Sequence, residues 1–161
     1  IVKTNLNGGV VFQKTYGGNF LEKGMDIVRK DNGDGYIVLG QQCKHRYDVH
    51  SCGPITKVMI LDIDENGNDL DQTFLGGLKF YEFGTPMALA NTSNDGYVFA
   101  TNPRNGGNVW LYKWGDSEDN LNLKISPGGF GGESIEKTLD NGFIISTGGG
   151  TVLKTDSQLS Y

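Results

Sequence analysis

One sequence unit occurs three times in this chain of 161 residues, and this repeat constrains the fold more than any single motif. Each copy has a Gly-Gly pair, then a turn dipeptide followed by an apolar run, and then a second apolar run. A repeat of this length is typical of solenoids, propellers and arrays. The Gly-Gly pairs are Gly17-Gly18, Gly76-Gly77 and Gly128-Gly129, and the turn dipeptides are Asp34-Gly35, Asp95-Gly96 and Asn141-Gly142.

Each copy is predicted to form short antiparallel strands. Asp-Gly and Asn-Gly favour hairpin turns because the central positions of those turns need φ > 0. Four antiparallel strands per repeat are the unit of a propeller blade, so the sequence predicts an all-β fold of β-propeller-type blades. The predicted strands are 25–29, 36–41, 57–63 and 69–75 in the first copy, 86–90, 97–101, 108–114 and 121–126 in the second, and 134–138, 143–147 and 151–155 in the third.

The two ends of the chain fit the same register. Ile1–Gly9 matches a third strand with its turn, and Val10–Tyr16 matches a fourth strand. Propellers close with four to eight blades, so about three repeats leave the ring incomplete within this chain. We expect additional blades from a longer chain or from identical subunits, with an open stack of sheets as the alternative. The predicted organisation is a single β-repeat domain, 1–161, made of a half blade at 1–18, blades at 19–77 and 78–129, and a partial blade at 130–161.

Composition and charge argue against two classes of partner. The net charge is −5 and the lysines are scattered, whereas nucleic-acid binding requires a basic stripe. No apolar run approaches the roughly 20 residues of a transmembrane helix. The chain begins with Ile1 and not with Met, so we expect a processed chain or a piece of a longer protein.

Three segments resemble a known repeat family. Lys14–Gly18, Asp34–Gly40 and Asp64–Asn68 match the pattern W-x-K-T-Y-G-G, D-G-G-Y-I-x-x-G and V-K-L-D-x-N-G-N. This pattern is found in secreted multi-repeat proteins of the Bacteroidetes and some other microbes. The resemblance implies an extracellular or cell-surface β-propeller-like module for adhesion, display or assembly. The family's Trp is replaced here by Phe12, Asp71 and Leu123 in turn.

The segment 43–52 is the most individual stretch, because it holds both cysteines and both histidines. With two cysteines and the extracellular setting that the resemblance implies, a Cys43–Cys52 disulfide across a long loop is the favoured interpretation. A metal site is the first alternative, although Cys-x-His…His-x-Cys is not an established zinc spacing. Free thiols are the second.

Asp62, Asp64 and Asn66 resemble the front of an EF-hand calcium loop. Such a loop needs Glu at its twelfth position, which is Thr73 here. A hairpin turn between a third and a fourth strand explains the same residues. Both interpretations are kept, and no other metal site and no cofactor are predicted.

Two further sets of side chains each allow a functional and a structural role. Trp110, Tyr112 and Trp114 alternate along a predicted strand, so they share one face. They either pack between blades or, if exposed, form a sugar-stacking platform.

Asn91-Thr92-Ser93 is a sequon that makes Asn91 a candidate for glycosylation.

Glutamates follow each Gly-Gly pair, at Glu22, Glu82 and Glu133. Paired carboxylates can cleave glycosidic bonds, but a residue repeated in every copy favours a structural role. We therefore predict no catalytic residues and a non-catalytic extracellular structural or interaction module. A carbohydrate-binding module or a fragment of a glycan-degrading enzyme is the alternative, and glycans are accordingly possible partners.

Overall fold

The computed structural model describes residues 1–43, 56–75, 84–93, 96–102, 108–115, 122–125 and 131–161. Within these ranges the chain forms thirteen strands in four antiparallel sheets and contains no helix. The first sheet pairs β1 (Val2–Thr4) with β2 (Val10–Gln13). The other strands are β3 (Leu21–Arg29), β4 (Tyr36–Cys43), β5 (Thr56–Ile63), β6 (Asp69–Leu75), β7 (Thr85–Asn91), β8 (Tyr97–Asn102), β9 (Trp110–Trp114), β10 (Asn122–Ile125), β11 (Gly132–Lys137), β12 (Phe143–Thr147) and β13 (Val152–Thr155).

Each sheet is a simple meander, in which every strand pairs with its neighbour in sequence. β3 to β6 form the second sheet, β7 to β10 the third and β11 to β13 the fourth. The all-β prediction is confirmed. The predicted strand 143–147 matches β12, but β3 begins at Leu21 and not at Met25, because residues 21–24 also pair with β4. That the sheets are propeller blades stays a prediction.

The glycines before the second strand of a sheet allow a close backbone approach. A Cβ at Gly35 would lie 2.0 Å from the carbonyl oxygen of Ile63, and one at Gly142 would lie 2.0 Å from that of Thr155. The left-handed conformation in the second of these turns belongs to Asn141, with φ of 62°. These close approaches explain why both positions have glycine. At Gly142 the contact across the sheet is the reason, because the residue with positive φ in that turn is Asn141.

The sheets pack face to face and bury three apolar clusters. The cluster between the second and third sheets is built mainly from Ile37, Leu39, Val58 and Ile60 on one side and Leu89, Tyr97, Phe99 and Tyr112 on the other. The cluster between the third and fourth sheets includes Val98, Leu111, Ile135, Phe143 and Ile145. A smaller cluster on the far side of the second sheet contains Val38, Leu61 and Ile63, with Tyr16 packed against it.

A β-bulge occurs at the same place in the first strand of each of these three sheets. The register shifts between Gly24 and Asp26, between Pro86 and Ala88, and between Gly132 and Ser134. Bulges bend a strand and increase its twist. The three first strands also lie next to one another, β7 contacting both β3 and β11. The repeat is therefore present in the structure as well as in the sequence.

The described part of the chain contains no helix with the length and apolar character that crossing a membrane requires.

Candidate interaction surface

A polar groove runs along the first strands of three successive sheets. It has a volume of about 430 Å³ and is lined by β3, β7 and β11. Acidic and basic side chains both line it, namely Asp26, Arg29, Asp31, Glu136 and Lys137. This mixture of charges suits a hydrated interior more than the apolar pocket of a typical small-molecule site.

Side-chain hydrogen bonds across the groove tie the second sheet to the third. Asp26 Oδ2 accepts a hydrogen bond from the Leu89 N–H at 2.8 Å. Asn91 Nδ2 donates to the Arg29 carbonyl oxygen and to Asp31 Oδ1, both at 2.7 Å. Because Asp26, Asn91 and Asp31 already bind neighbouring strands, their first role is to hold the sheets together.

Lys137 links the fourth sheet to the same network. Its Nζ donates to the Thr92 carbonyl oxygen at 3.3 Å and lies 3.8 Å from Asp31 Oδ2. The groove thus contains a charge network that spans three sheets. No group of three or more metal-binding side chains occurs anywhere in the described ranges, the groove included.

The outward face of the fourth sheet carries apolar residues at positions that are buried in the other sheets. Ile144 is 40% exposed, whereas Ile37 and Val98, at the equivalent position of the second strand, are 2% and 0% exposed. Val152 is 64% exposed, whereas Ile60 and Leu111, its equivalents in the third strand, are 2% and 0% exposed. These faces of the second and third sheets are covered by the next sheet, and the described residues do not cover that of the fourth.

At the other end of the stack, the sheet β1–β2 packs on the second sheet by polar contacts. Lys3 Nζ forms an ion pair with Glu65, and the Tyr16 hydroxyl donates to the Gly67 carbonyl oxygen at 2.6 Å. The hydrogen bond from Lys3 lowers the pKa of Glu65, and the same bond raises the pKa of Lys3. Burial raises the pKa of the Tyr16 hydroxyl.

The opposite side of β1–β2 is exposed and apolar. Val2 and Val11 alternate with Lys3 and Phe12 along their strands, so they point away from the second sheet. Each of these valines is 55% exposed. Both ends of the stack of sheets therefore present branched aliphatic side chains to solvent.

The calcium candidate has the geometry of a turn. Asp64 Oδ1 accepts hydrogen bonds from the N–H groups of Asn66 and Asn68, at 2.8 and 2.7 Å, and these bonds lower its pKa. Asp62 forms an ion pair with Lys30. Since the Asp64 and Asp62 carboxylates are engaged in this way, the arrangement favours the hairpin-turn interpretation.

The aromatic strand β9 faces the second sheet. Tyr112 is buried and its ring stacks on Phe99 with centroids 5.1 Å apart, while the Trp114 ring lies 5.8 Å from that of Tyr97. Trp110 and Trp114 pack against the same cluster and are partly buried. This geometry is that of aromatic side chains packed between two sheets, and the sugar-stacking role stays a prediction.

Asn91 is half-buried, and its Nδ2, the atom that a glycan would modify, donates both hydrogen bonds described above. Glu22 Oε1 accepts a hydrogen bond from Gln42 Nε2 at 3.1 Å, and Glu133 is exposed. Glu82 lies outside the described residues.

Cys43 is buried at the end of β4, but Cys52 also lies outside the described residues, so the disulfide stays a prediction.

The groove and the outward face of the fourth sheet were not found from the sequence. The signal for the face was present, because Ile144 and Val152 occupy repeat positions filled by core residues in the other copies. The groove left no such signal, since its side chains meet only through sheet packing.

No family model and no curated protein match this chain. Among solved structures it is similar to a chain of Kuenenia stuttgartiensis hydrazine synthase, with a TM-score of 0.59 and 16% sequence identity. The match covers 86% of this chain and 46% of that chain, so this chain spans about half of its length. At this identity the likeness shows a shared fold alone.

Proposed function

We propose that the chain is a non-catalytic extracellular structural or interaction module, built of propeller-type blades, that packs against further β-sheets through its two end faces. The observation that carries this proposal is the exposure of Ile144 and Val152 at core-equivalent positions of the fourth sheet. The family resemblance of the repeats supports the extracellular setting and the blade assignment.

The sheet stack gives a physical reason for association. Covering an aliphatic side chain contributes about 25 cal/mol per Å² of apolar surface removed from water. In the described sheets this gain is realised each time one sheet covers the next. The outward face of the fourth sheet has the same pattern, so a further sheet is the partner that fits it, supplied by the same longer polypeptide or by an identical subunit.

The two end faces differ in sequence, and this makes the association heterologous. One end presents Ile144 and Val152, and the other presents Val2 and Val11. Head-to-tail contacts between unlike faces give rings when the rotation closes and filaments when it does not. Self-assembly of identical chains is therefore the form of the proposal that can be tested on the chain itself.

The test compares the concentration dependence of mass, by sedimentation velocity, for the wild type and two face variants. One variant carries Ile144→Glu and Val152→Glu, and the other carries Val2→Glu and Val11→Glu. Burying these charges should weaken association by about tenfold or more. Leu139→Glu is the matched control, because Leu139 is a fully exposed leucine in the turn between β11 and β12.

Mixing the two face variants tests the orientation. Each variant alone should be monomeric, whereas a mixture should give dimers and nothing larger, since one intact face of each kind remains. Dimers of either variant alone would contradict the head-to-tail arrangement. A wild type that stays monomeric at its highest soluble concentration, with the same mass as both variants, would overturn self-assembly.

A further inference from the structure

In the first strands of the second and third sheets, one backbone N–H group points away from its own sheet. The Ile27 N–H of β3 donates to Asp26 Oδ1 and the Leu89 N–H of β7 donates to Asp26 Oδ2, both at 2.8 Å. Ile27 and Leu89 are each the second residue after the register shift of their strand. One carboxylate therefore satisfies the N–H groups of two neighbouring strands at the same place in the repeat.

Ile135 is the equivalent residue of β11, because it is also the second residue after the register shift. Three residues later the Thr138 N–H donates to the Gly142 carbonyl oxygen at 2.9 Å, and the turn after β7 has the same bond. Antiparallel partners alternate between pairs that exchange hydrogen bonds and pairs that do not. Counted back from these turns, the N–H and C=O groups of Ile135 and Leu89 point away from the second strand and into the polar groove, which both residues line.

The junction between β7 and β11 lacks the carboxylate that closes the junction between β3 and β7. Ala88 holds the position in β7 that Asp26 holds in β3, directly after the register shift. Its methyl group accepts no hydrogen bond, so in the described part of the chain the Ile135 N–H has no counterpart of the Asp26 bond. Ile135 is only 4% exposed. Because a buried N–H group is unfavourable without an acceptor, this position favours a bound molecule that supplies one.

The charges of the groove select for a neutral ligand. Its volume of about 430 Å³ lies within the roughly 300–1,000 Å³ of small-molecule sites. A small anion would be repelled by the carboxylates that line the groove, and a small cation by the cationic side chains. The carboxylates are Asp26, Asp31 and Glu136, and the cationic side chains are Arg29 and Lys137.

We propose that the groove between β7 and β11 binds a neutral polyhydroxy compound of the size of a monosaccharide. One hydroxyl group accepts from the Ile135 N–H and donates to the Leu89 carbonyl oxygen, which a carboxylate, as an acceptor only, does not do. Asp31 and Lys137, whose Oδ2 and Nζ lie 3.8 Å apart, bind the neighbouring hydroxyl groups. This site is separate from the aromatic strand β9 and from the two end faces on which the proposed function rests.

The test is an NMR titration of the isotopically labelled chain, read at the amide of Ile135. The probes are myo-inositol, methyl α-glucoside and methyl α-mannoside, with sodium acetate as the anionic probe, each added to about 100 mM so that millimolar dissociation constants are detected. Ala88→Asp places a carboxylate at the position equivalent to Asp26 and should close the site. Asp31→Asn removes one ligand contact without changing the size of the side chain, and Asp34→Asn is its matched control, because Asp34 is exposed and does not line the groove.

We expect a saturable shift of the Ile135 amide with at least one of the three polyols. Binding should be unaltered in Asp34→Asn, about tenfold weaker in Asp31→Asn and absent in Ala88→Asp. If Ala88→Asp does not fold, the comparison of the two asparagine variants still decides. The absence of a saturable shift with all three polyols, or equal affinity in Asp31→Asn and Asp34→Asn, would overturn the site. A shift with acetate alone would also overturn it, because it would identify an anion site.

Discussion

The Asp26 carboxylate accepts a hydrogen bond at 2.8 Å from the backbone N–H of Leu89, and this bond joins the first strands of two successive sheets. The two residues are far apart in sequence, and Leu89 is only 3% exposed. The β-bulge beside Asp26 changes the register of β3 at this point. A buried N–H at the contact between two sheets is thereby satisfied by a side chain of the neighbouring sheet.

Replacing Asp26 by alanine should lower the free energy of unfolding by about 1–3 kcal/mol, because the N–H of Leu89 loses its partner. Asp26→Asn keeps an oxygen acceptor and should lose less. Urea denaturation of both variants measures the effect, with Asp34→Ala as a control at an exposed turn residue. An alanine variant as stable as the control would contradict this role of Asp26.

Leu159 is buried in the core although its backbone adopts a left-handed conformation, with φ of 62°. The left-handed conformation costs a branched residue about 1–2 kcal/mol, whereas truncating a buried leucine costs about 2–5 kcal/mol. Burial is the larger effect, so Leu159→Ala should destabilise the chain by about 2–4 kcal/mol. The measurement is thermal or urea unfolding. Leu159→Gly relieves the strain but still loses the contact, and a glycine variant more stable than the wild type would show that strain dominates.

Asn91→Ala should cost about 1–3 kcal/mol, because two hydrogen bonds between the second and third sheets are lost. Ser93→Ala removes the same sequon but only one hydrogen bond, from Ser93 Oγ to Asn141 Oδ1 on the surface. It should therefore be much less destabilising. If the two variants unfold at the same urea concentration, Asn91 does not hold the sheets together.

The stability of the chain should fall as the pH drops below about 5, because several carboxylates have lowered pKa values in the folded state. The hydrogen bonds from Lys154 Nζ, at 2.8 and 2.9 Å, lower the pKa of Asp140 well below its usual range, and those from Thr138 and Gly142 add to the effect. As the pH falls, the carboxylates of the unfolded chain become protonated before those of the folded chain. The stabilisation that these carboxylates provide above about pH 4 is therefore lost as the pH falls toward their lowered pKa values in the folded chain.

Urea denaturation at pH 7, 5 and 3 measures this dependence, which Asp140→Asn should reduce since that residue no longer titrates. Lys154→Gln should reduce it as well, because it removes the main cause of the lowered pKa. A pH dependence identical to that of the wild type in both variants would assign the acid sensitivity to Glu65, Asp64 and other carboxylates.

The strands were largely predictable because they depend on local signals. Phe143–Thr147 follows a turn dipeptide and alternates in burial along β12, so its bounds were correct. β3 was predicted too short, since residues 21–24 carry no strand signal of their own and pair only because β4 is long enough to meet them. The role of Gly142 was also misassigned, because its close contact with the Thr155 carbonyl oxygen exists only across the assembled sheet.

The sequence by itself determined the repeat, the all-β class and the turns, because alternation and turn chemistry act over a few residues. Only the tertiary structure decided which faces are covered. Ile144 and Val98 occupy the same repeat position, yet one is exposed and the other buried, since only the face of the third sheet has a described sheet against it. The Asp26–Leu89 bond and the anchoring of Leu159 depend on the same stacking, which places residues together whatever their separation in the chain.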